Sequence, residues 1–248
     1  MRRVPLLIAL ILSSVPPAKA QAGLPEGFVH LADIAPAVRQ DIRYAGSRNF
    51  LGRPVAGYQA AECILTRPAA EALARVQAEM VRRGLTLIVW DCYRPARAVA
   101  DFMAWTRDPS DQRMRAIYYP ALDKRDLAAL GYLSTRSTHS RGSTVDLGIA
   151  RLSGSATGGQ GACTAPHGTR IDDGAVDLGT AYDCFDPLSH TRDPRVGREA
   201  AANRSLLAQA MQRHGFRGYS REWWHFQLIR EPYPARVFDF PVMSRRHR

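Results

Sequence analysis

Ser137-Thr138-His139-Ser140-Arg141-Gly142-Ser143-Thr144-Val145-Asp146 is the stretch around which the chain is organised. Residues 144–149 read as a strand that carries Asp146 along its length, and His139 sits just before it. The Arg141-Gly142 pair between them marks a turn, where glycine permits a backbone that other residues resist. Far downstream, Glu222-Trp223-Trp224-His225 opens a second, aromatic strand over 222–228. Two imidazoles, His139 and His225, and the Asp146 carboxylate form a donor set that suits a zinc ion held by three protein ligands with a fourth position open. Glu222 precedes the last imidazole by three residues, where a carboxylate can serve as general base toward a water. Positions three apart on a regular strand face opposite ways, so Glu222 must sit where that strand begins or bends. A histidine taken singly is more often a surface or core residue, and His30, His167, His190, His214 and His247 carry that plainer reading.

Working outward, Asp41-Ile42-Arg43-Tyr44 reads as a short strand. Pro68 opens a helix whose apolar face recurs at Ala69, Leu73, Val76 and Met80 and which stops at Gly84. A buried strand follows over 85–90 and a helix over 96–105. Residues 107–136 form a long connection broken at Tyr118-Tyr119-Pro120, with room for one short helix. Residues 151–176 are a Gly-, Ser- and Thr-rich insertion. A second long helix covers 197–214, burying Leu206, Leu207, Ala210 and Met211 and ending at Gly215. Helices and strands do not alternate regularly. The expectation is one α+β domain with a central antiparallel or mixed sheet, flanking helices, and the zinc site on the sheet.

Length and composition agree with a single globular domain: 248 residues, 46% apolar and 23% charged, can bury a full core without help from metal or disulfides. The formal charge of +11 is carried almost wholly by scattered arginines, and no nucleic-acid-binding signature or basic-aromatic interleaving accompanies it. A solvated arginine-rich surface accounts for it, and nucleic acid is not an expected partner. Residues 1–20 read as a signal peptide: Arg2 and Arg3, an apolar run over 4–15, then Ala18-Lys19-Ala20. That run is too short to span a bilayer, which needs about 20 residues, and no later stretch approaches this. The expected mature domain is 21–248, periplasmic or secreted. The four cysteines, Cys63, Cys92, Cys163 and Cys184, fit an oxidising compartment. Three pairings are possible. Cys63–Cys92 and Cys163–Cys184 are favoured because each closes a modest loop.

The pattern S-x-H-x-x-G-x-x-x-D over 137–146, followed by Glu222-Trp223-Trp224-His225, resembles the D-alanyl-D-alanine dipeptidases of the VanX type, zinc peptidases related to D,D-carboxypeptidases. The likeness extends to Asp41-Ile42-Arg43-Tyr44, Asn49-Phe50, Asp91-x-Tyr93-Arg94-Pro95, Gly179-Thr180-x-Tyr182-Asp183, and the tail from Glu231-Pro232-Tyr233-Pro234 to Phe238-Asp239-Phe240-Pro241. It covers essentially the whole mature chain. The resemblance implies one zinc ion per chain on His139, Asp146 and His225, with Glu222 as the base. It implies that Arg94 faces the transition-state oxyanion, where losing one such donor typically costs about 10²–10³ in rate. It implies that Asp183 binds the substrate ammonium and that Tyr44, Ser137 and Phe102 line the pocket. The expected substrate is the small molecule D-Ala-D-Ala, in cell-envelope peptidoglycan turnover. Two other readings stay open: a D,D-carboxypeptidase acting on longer wall peptides, and a wall-binding module without turnover. The insertion at 151–176 departs from the compact family pattern and lies beside Asp183, which bears on the choice between dipeptide and longer peptide.

Overall fold

The computed structural model describes residues 23–153 and 158–245. In chain order the elements are β1 (Phe28–His30), α1 (Leu31–Ile34), β2 (Arg39–Gln40), β3 (Ile64–Thr66), α2 (Arg67–Val81), β4 (Leu85–Asp91), α3 (Ala96–Arg107), α4 (Arg115–Tyr118), β5 (Thr144–Arg151), α5 (Arg198–Arg213), β6 (Phe216–Tyr219) and β7 (Glu222–Leu228). The central five-stranded sheet has the order β2-β4-β5-β7-β6, and β1 pairs with β3 in a separate two-stranded ribbon. Only β2 against β4 is parallel; the other pairings in that sheet are antiparallel, so the sheet is mixed and the class is α+β.

One face of the sheet presents Leu87, Val89, Val145, Leu147 and Ile149 to the buried sides of α2 and α5, where Leu73, Val76, Met80, Leu207, Ala210 and Met211 complete the core. Pro68 lies in the first turn of α2, where its missing N–H costs nothing. The Gln77 side chain ties α2 to β4, donating to Thr86 Oγ1 at 2.9 Å and accepting from Leu87 N at 2.8 Å. The opposite face carries Ile88, Trp90, Asp146 and Ala150. Segment 158–185 folds over it, packing Ala175, Leu178 and Tyr182 there. Gly148 allows this close packing, since a Cβ there would meet the Trp90 ring at 2.5 Å.

The disulfides are Cys63–Cys92 and Cys163–Cys184, the pairs favoured from loop length. With sequence separations of 29 and 21, each restrains the unfolded chain by about 3–4 kcal/mol in the loop-entropy description. Three local expectations change. The strand expected at 41–44 is instead the two-residue β2, followed by a 3-10 turn at Arg43–Ala45. Pairing with β4 makes Arg39 and Gln40 a strand, whereas Asn49 gathers the next segment into a loop by donating to the carbonyls of Arg43, Gly46 and Arg53. Leu206 is only half-buried, and the buried position one turn before Leu207 is held by Arg204, which donates to the carbonyls of Leu178, Leu188 and His190. Strand β6 had no counterpart in the sequence reading. The signal peptide expected at 1–20 and His247 lie outside the described residues. Among the described residues no helix is long and apolar enough to cross a membrane.

Candidate active site

Strand register builds the site. Asp91 on β4 stands opposite Asp146 on β5, and Asp146 stands opposite His225 on β7, so the three side chains form one row across the sheet. His139 reaches the row from the 3-10 turn Thr138–Arg141. Ser137 caps that turn by accepting from His139 N at 3.2 Å, and Gly142 closes it at φ 79°. A side chain at Gly142 would strike the Phe28 ring, so both backbone and space demand glycine there.

His139 Nδ1 lies 2.8 Å from the carbonyl of Cys92, which fixes the proton on Nδ1 and turns the Nε2 lone pair toward the row. His225 has the opposite orientation: Nε2 approaches Thr138 Oγ1 at 3.4 Å and Nδ1 faces the row. His139 Nε2 lies 3.3 Å from His225 Nδ1, and Asp146 Oδ1 lies 3.3 Å and 3.1 Å from these two nitrogens. Such separations match the edges of a tetrahedron whose centre lies about 2.0 Å from each corner, the bond length of zinc to nitrogen and oxygen. Asp146 Oδ1 is buried and makes no hydrogen bond. Two imidazole nitrogens and an orphaned carboxylate oxygen converging on one point fit a resident cation. Burial alone would raise the Asp146 carboxyl, but the facing His139 and His225 hold it below the usual carboxylate range.

Glu222 is the first residue of β7, and its Oε2 lies 3.6 Å from His225 Nδ1. The pairing of β6 with β7 slips between Gly218 and Tyr219, and this irregularity bends the strand enough to bring positions 222 and 225 to the same side. Burial pushes the Glu222 carboxyl well above its ordinary range, and the charges of Asp146 and Asp183 push it further. Arg94 is held by Asp91, with Nε donating at 2.8 Å, and its Nη2 reaches Asp146 Oδ2 at 3.5 Å. Its guanidinium lies 5.3 Å and 5.0 Å from the ring centroids of Tyr44 and Phe102. Arg97, by contrast, pairs with Asp239 at the surface.

Asp183 takes a left-handed backbone, φ 59°, unusual for a non-glycine residue and tolerated best by Asn and Asp. The Tyr44 hydroxyl donates to its carboxylate at 2.9 Å. The next residue, Cys184, is bonded to Cys163, and Ala181 N donates to the Cys163 carbonyl at 2.9 Å, so the insertion braces the Asp183 turn. Burial raises the Asp183 carboxyl well above its usual range, with Asp146 adding to the effect.

Every residue singled out from the sequence for this chemistry lines one cavity of about 370 Å³: Tyr44, Arg94, Phe102, Ser137, His139, Asp146, Asp183, Glu222 and His225. Sequence reasoning missed others. Tyr182 was quoted only as part of a motif, yet its hydroxyl lies 3.2 Å from both Asp146 Oδ2 and the Tyr44 hydroxyl. Arg136 and Arg217 also line the cavity. Neither lies in a pattern that distinguishes it from the many surface arginines. The remaining described histidines stay outside it; His214 pairs with Glu79 and His190 meets the Tyr132 hydroxyl.

Comparison with known proteins adds a family. Residues 25–243 match the family model described as D-ala-D-ala dipeptidase. The chain is 37% identical over 217 residues to a D-alanyl-D-alanine dipeptidase of Enterococcus faecium, covering 87% of this chain and 98% of that one. A Streptomyces coelicolor protein of the same name is 38% identical over 215 residues, with the same coverage. A solved structure of the vancomycin resistance D,D-dipeptidase VanXYg, in complex with a D-Ala-D-Ala phosphinate analog, aligns over 84% of this chain and 68% of its own, at 14% identity and a TM-score of 0.34. That superposition is too loose to bear on the site.

Proposed function

Because the chain belongs to the D-alanyl-D-alanine dipeptidase family and is a metallopeptidase, we propose that it hydrolyses the free dipeptide D-Ala-D-Ala, with zinc as its resident metal. His139 Nε2, Asp146 Oδ1 and His225 Nδ1 are the atoms that would hold the ion. Zinc in such a three-ligand site brings the pKa of a water to about 7 and polarises a carbonyl. Glu222, at the mouth of the row, accepts the proton of the attacking water and returns it to the leaving amine. Burial and the charges of Asp146 and Asp183 raise its pKa above the usual carboxylate range, which strengthens it as a base toward that proton. Arg94 is permanently charged and held by Asp91, so it meets the developing oxyanion without reorganising. Phe102 and Tyr44 wall the space for small side chains, and Ser137 holds the His139 turn from the cavity rim.

The observation that carries the reading is Asp183. A buried carboxylate, aimed into the same cavity as the metal row and fixed by Tyr44, supplies an anion for a substrate ammonium. A carboxypeptidase acting on longer chains needs that end open, and the braced insertion instead supports a closed one. A binding module without turnover has no use for a buried Glu222 beside a charged Arg94. The proposed setting is outside the cytoplasm, supported by the leader-like residues 1–20 and the two disulfides. There the reaction would serve peptidoglycan turnover. The test is release of D-alanine from D-Ala-D-Ala and from its N-acetyl form by the purified mature chain, with and without chelator. Chelator-sensitive, zinc-restored turnover is expected, fast on the free dipeptide and slow on the acetylated form. Turnover of the acetylated form instead would move the function to carboxypeptidase.

A further inference from the structure

A dipeptide is a zwitterion, and its ammonium and its carboxylate lie on opposite sides of the scissile bond. The proposed function assigns a partner to the ammonium and none to the carboxylate. We propose that Arg217, together with Arg136, forms the site that recognises the substrate's terminal carboxylate and thereby sets the requirement for a free C-terminus; this rests on the dipeptidase reading above.

The cavity is electrostatically polar along the metal row. Asp183 connects through Tyr44 and Tyr182 to Asp146, so the anionic end lies on the Asp146 side. Arg136 belongs to the segment that brings Thr138 against His225, and Arg217 stands opposite Gln227 on β7. Gln227 is two residues past His225, which is about 7 Å along a strand. Both guanidiniums therefore lie on the His225 side, beyond the Glu222 carboxylate that flanks the row. A ligand with its amine at Asp183 and its scissile carbonyl at the row extends its carboxylate in that direction.

Arg217 is pre-aimed, unlike a loose surface arginine. Its Nη2 donates to Gln227 Oε1 at 3.0 Å, and Gln227 Nε2 donates to Glu231 Oε1 at 2.7 Å. Glu231 is held in turn by Arg141, whose Nε donates to Oε2 at 3.0 Å. The anion in this chain is thus already neutralised by Arg141, and Arg217 meets only the neutral Gln227 amide. Arg136 makes no side-chain hydrogen bond or ion pair with another described residue. Arg94, the third guanidinium of the cavity, is engaged by Asp91 and Asp146. The two guanidiniums left for an incoming carboxylate are those of Arg217 and Arg136, and guanidinium geometry matches a carboxylate in two-point contact.

The experiment compares D-Ala-D-Ala with its C-terminal carboxamide, using the zinc-loaded mature chain and the variants Arg217→Gln, Arg136→Gln and both together. The unaltered protein should prefer the acid by about 10- to 100-fold in kcat/KM. The double variant should lose that preference through a raised KM for the acid, with kcat, carboxamide turnover, zinc content and melting temperature unchanged. Equal turnover of acid and amide by the unaltered protein would overturn the proposal while leaving the dipeptidase reading intact. So would variants that lose activity equally on both substrates. Absence of turnover on both by the unaltered protein would remove the dipeptidase reading, and this inference with it.

Discussion

Replacing Asp183 by Asn isolates the charge that the dipeptidase reading depends on. Asn tolerates the left-handed backbone at φ 59° as readily as Asp does, and its amide oxygen still accepts from Tyr44. Shape, turn and hydrogen bond therefore survive, and the anion is lost. Asp183 is only 4% exposed, so water screens its attraction for a substrate ammonium weakly. Two unit charges about 4 Å apart at an effective dielectric of about 20 attract by about 4 kcal/mol, an upper bound before desolvation is subtracted. Hydrogen bonds to charged groups contribute about 1.5–3 kcal/mol net. The variant should therefore lose about 10- to 100-fold in kcat/KM on D-Ala-D-Ala, mainly through KM. N-acetyl-D-Ala-D-Ala has no ammonium, so its slow turnover should not fall. The ratio of the two rates also removes Glu222 from the pH dependence, because Glu222 serves both substrates. Asp183 binds the ammonium only when ionised, and its pKa lies well above the usual range through burial and the Asp146 charge. Selectivity for the free dipeptide should therefore rise with pH in the unaltered protein until the substrate ammonium itself loses its proton at about pH 8, and the Asn variant should lack that rise. Equal losses on both substrates, or none, would refute the reasoning.

Gly142→Ala drives a Cβ into the Phe28 ring at φ 79°, a cost of about 2–4 kcal/mol from backbone strain and overpacking together. Calorimetry should show a melting temperature lowered by roughly 5–15 °C, and dialysis against chelator should show faster metal loss because His139 sits on the displaced turn. An unchanged melting temperature would mean that Phe28 moves aside freely. Glu79 joins α2 to α5 through Arg213 and His214. The Arg213 hydrogen bond, against opposing burial and with His214 and Arg83 assisting, lowers its pKa from 4.5 to about 2. Its stabilisation is therefore present above pH 4.5 and lost as the pH falls toward 2. Glu79→Gln should melt earlier than the unaltered protein at pH 7, with the gap closing across that acid window; a gap independent of pH would rule out the ion pair as its source.

The sequence by itself determined the elements whose signals are local. Helices α2 and α5 are written in apolar residues at helical spacing with glycine stops, and β4, β5 and β7 in runs of branched and aromatic residues. The donor set was legible because His139, Asp146, Glu222 and His225 are chemically distinctive at short spacings, and the disulfides because both loops are short. Tertiary structure decided what depends on partners distant in the chain. Arg39 and Gln40 are a strand only because β4 lies beside them, and β6, with exposed Arg217 and Gly218, has no alternation to announce it. The row of Asp91, Asp146 and His225 exists through strand register, and the slip beside Tyr219 turns Glu222 and His225 to one side. The polarity of the cavity, with Asp183 at one end and Arg217 and Arg136 at the other, has the same origin. A residue's propensity and burial period are carried by its near neighbours, whereas register, bulges and the convergence of charges are settled by packing across the whole chain.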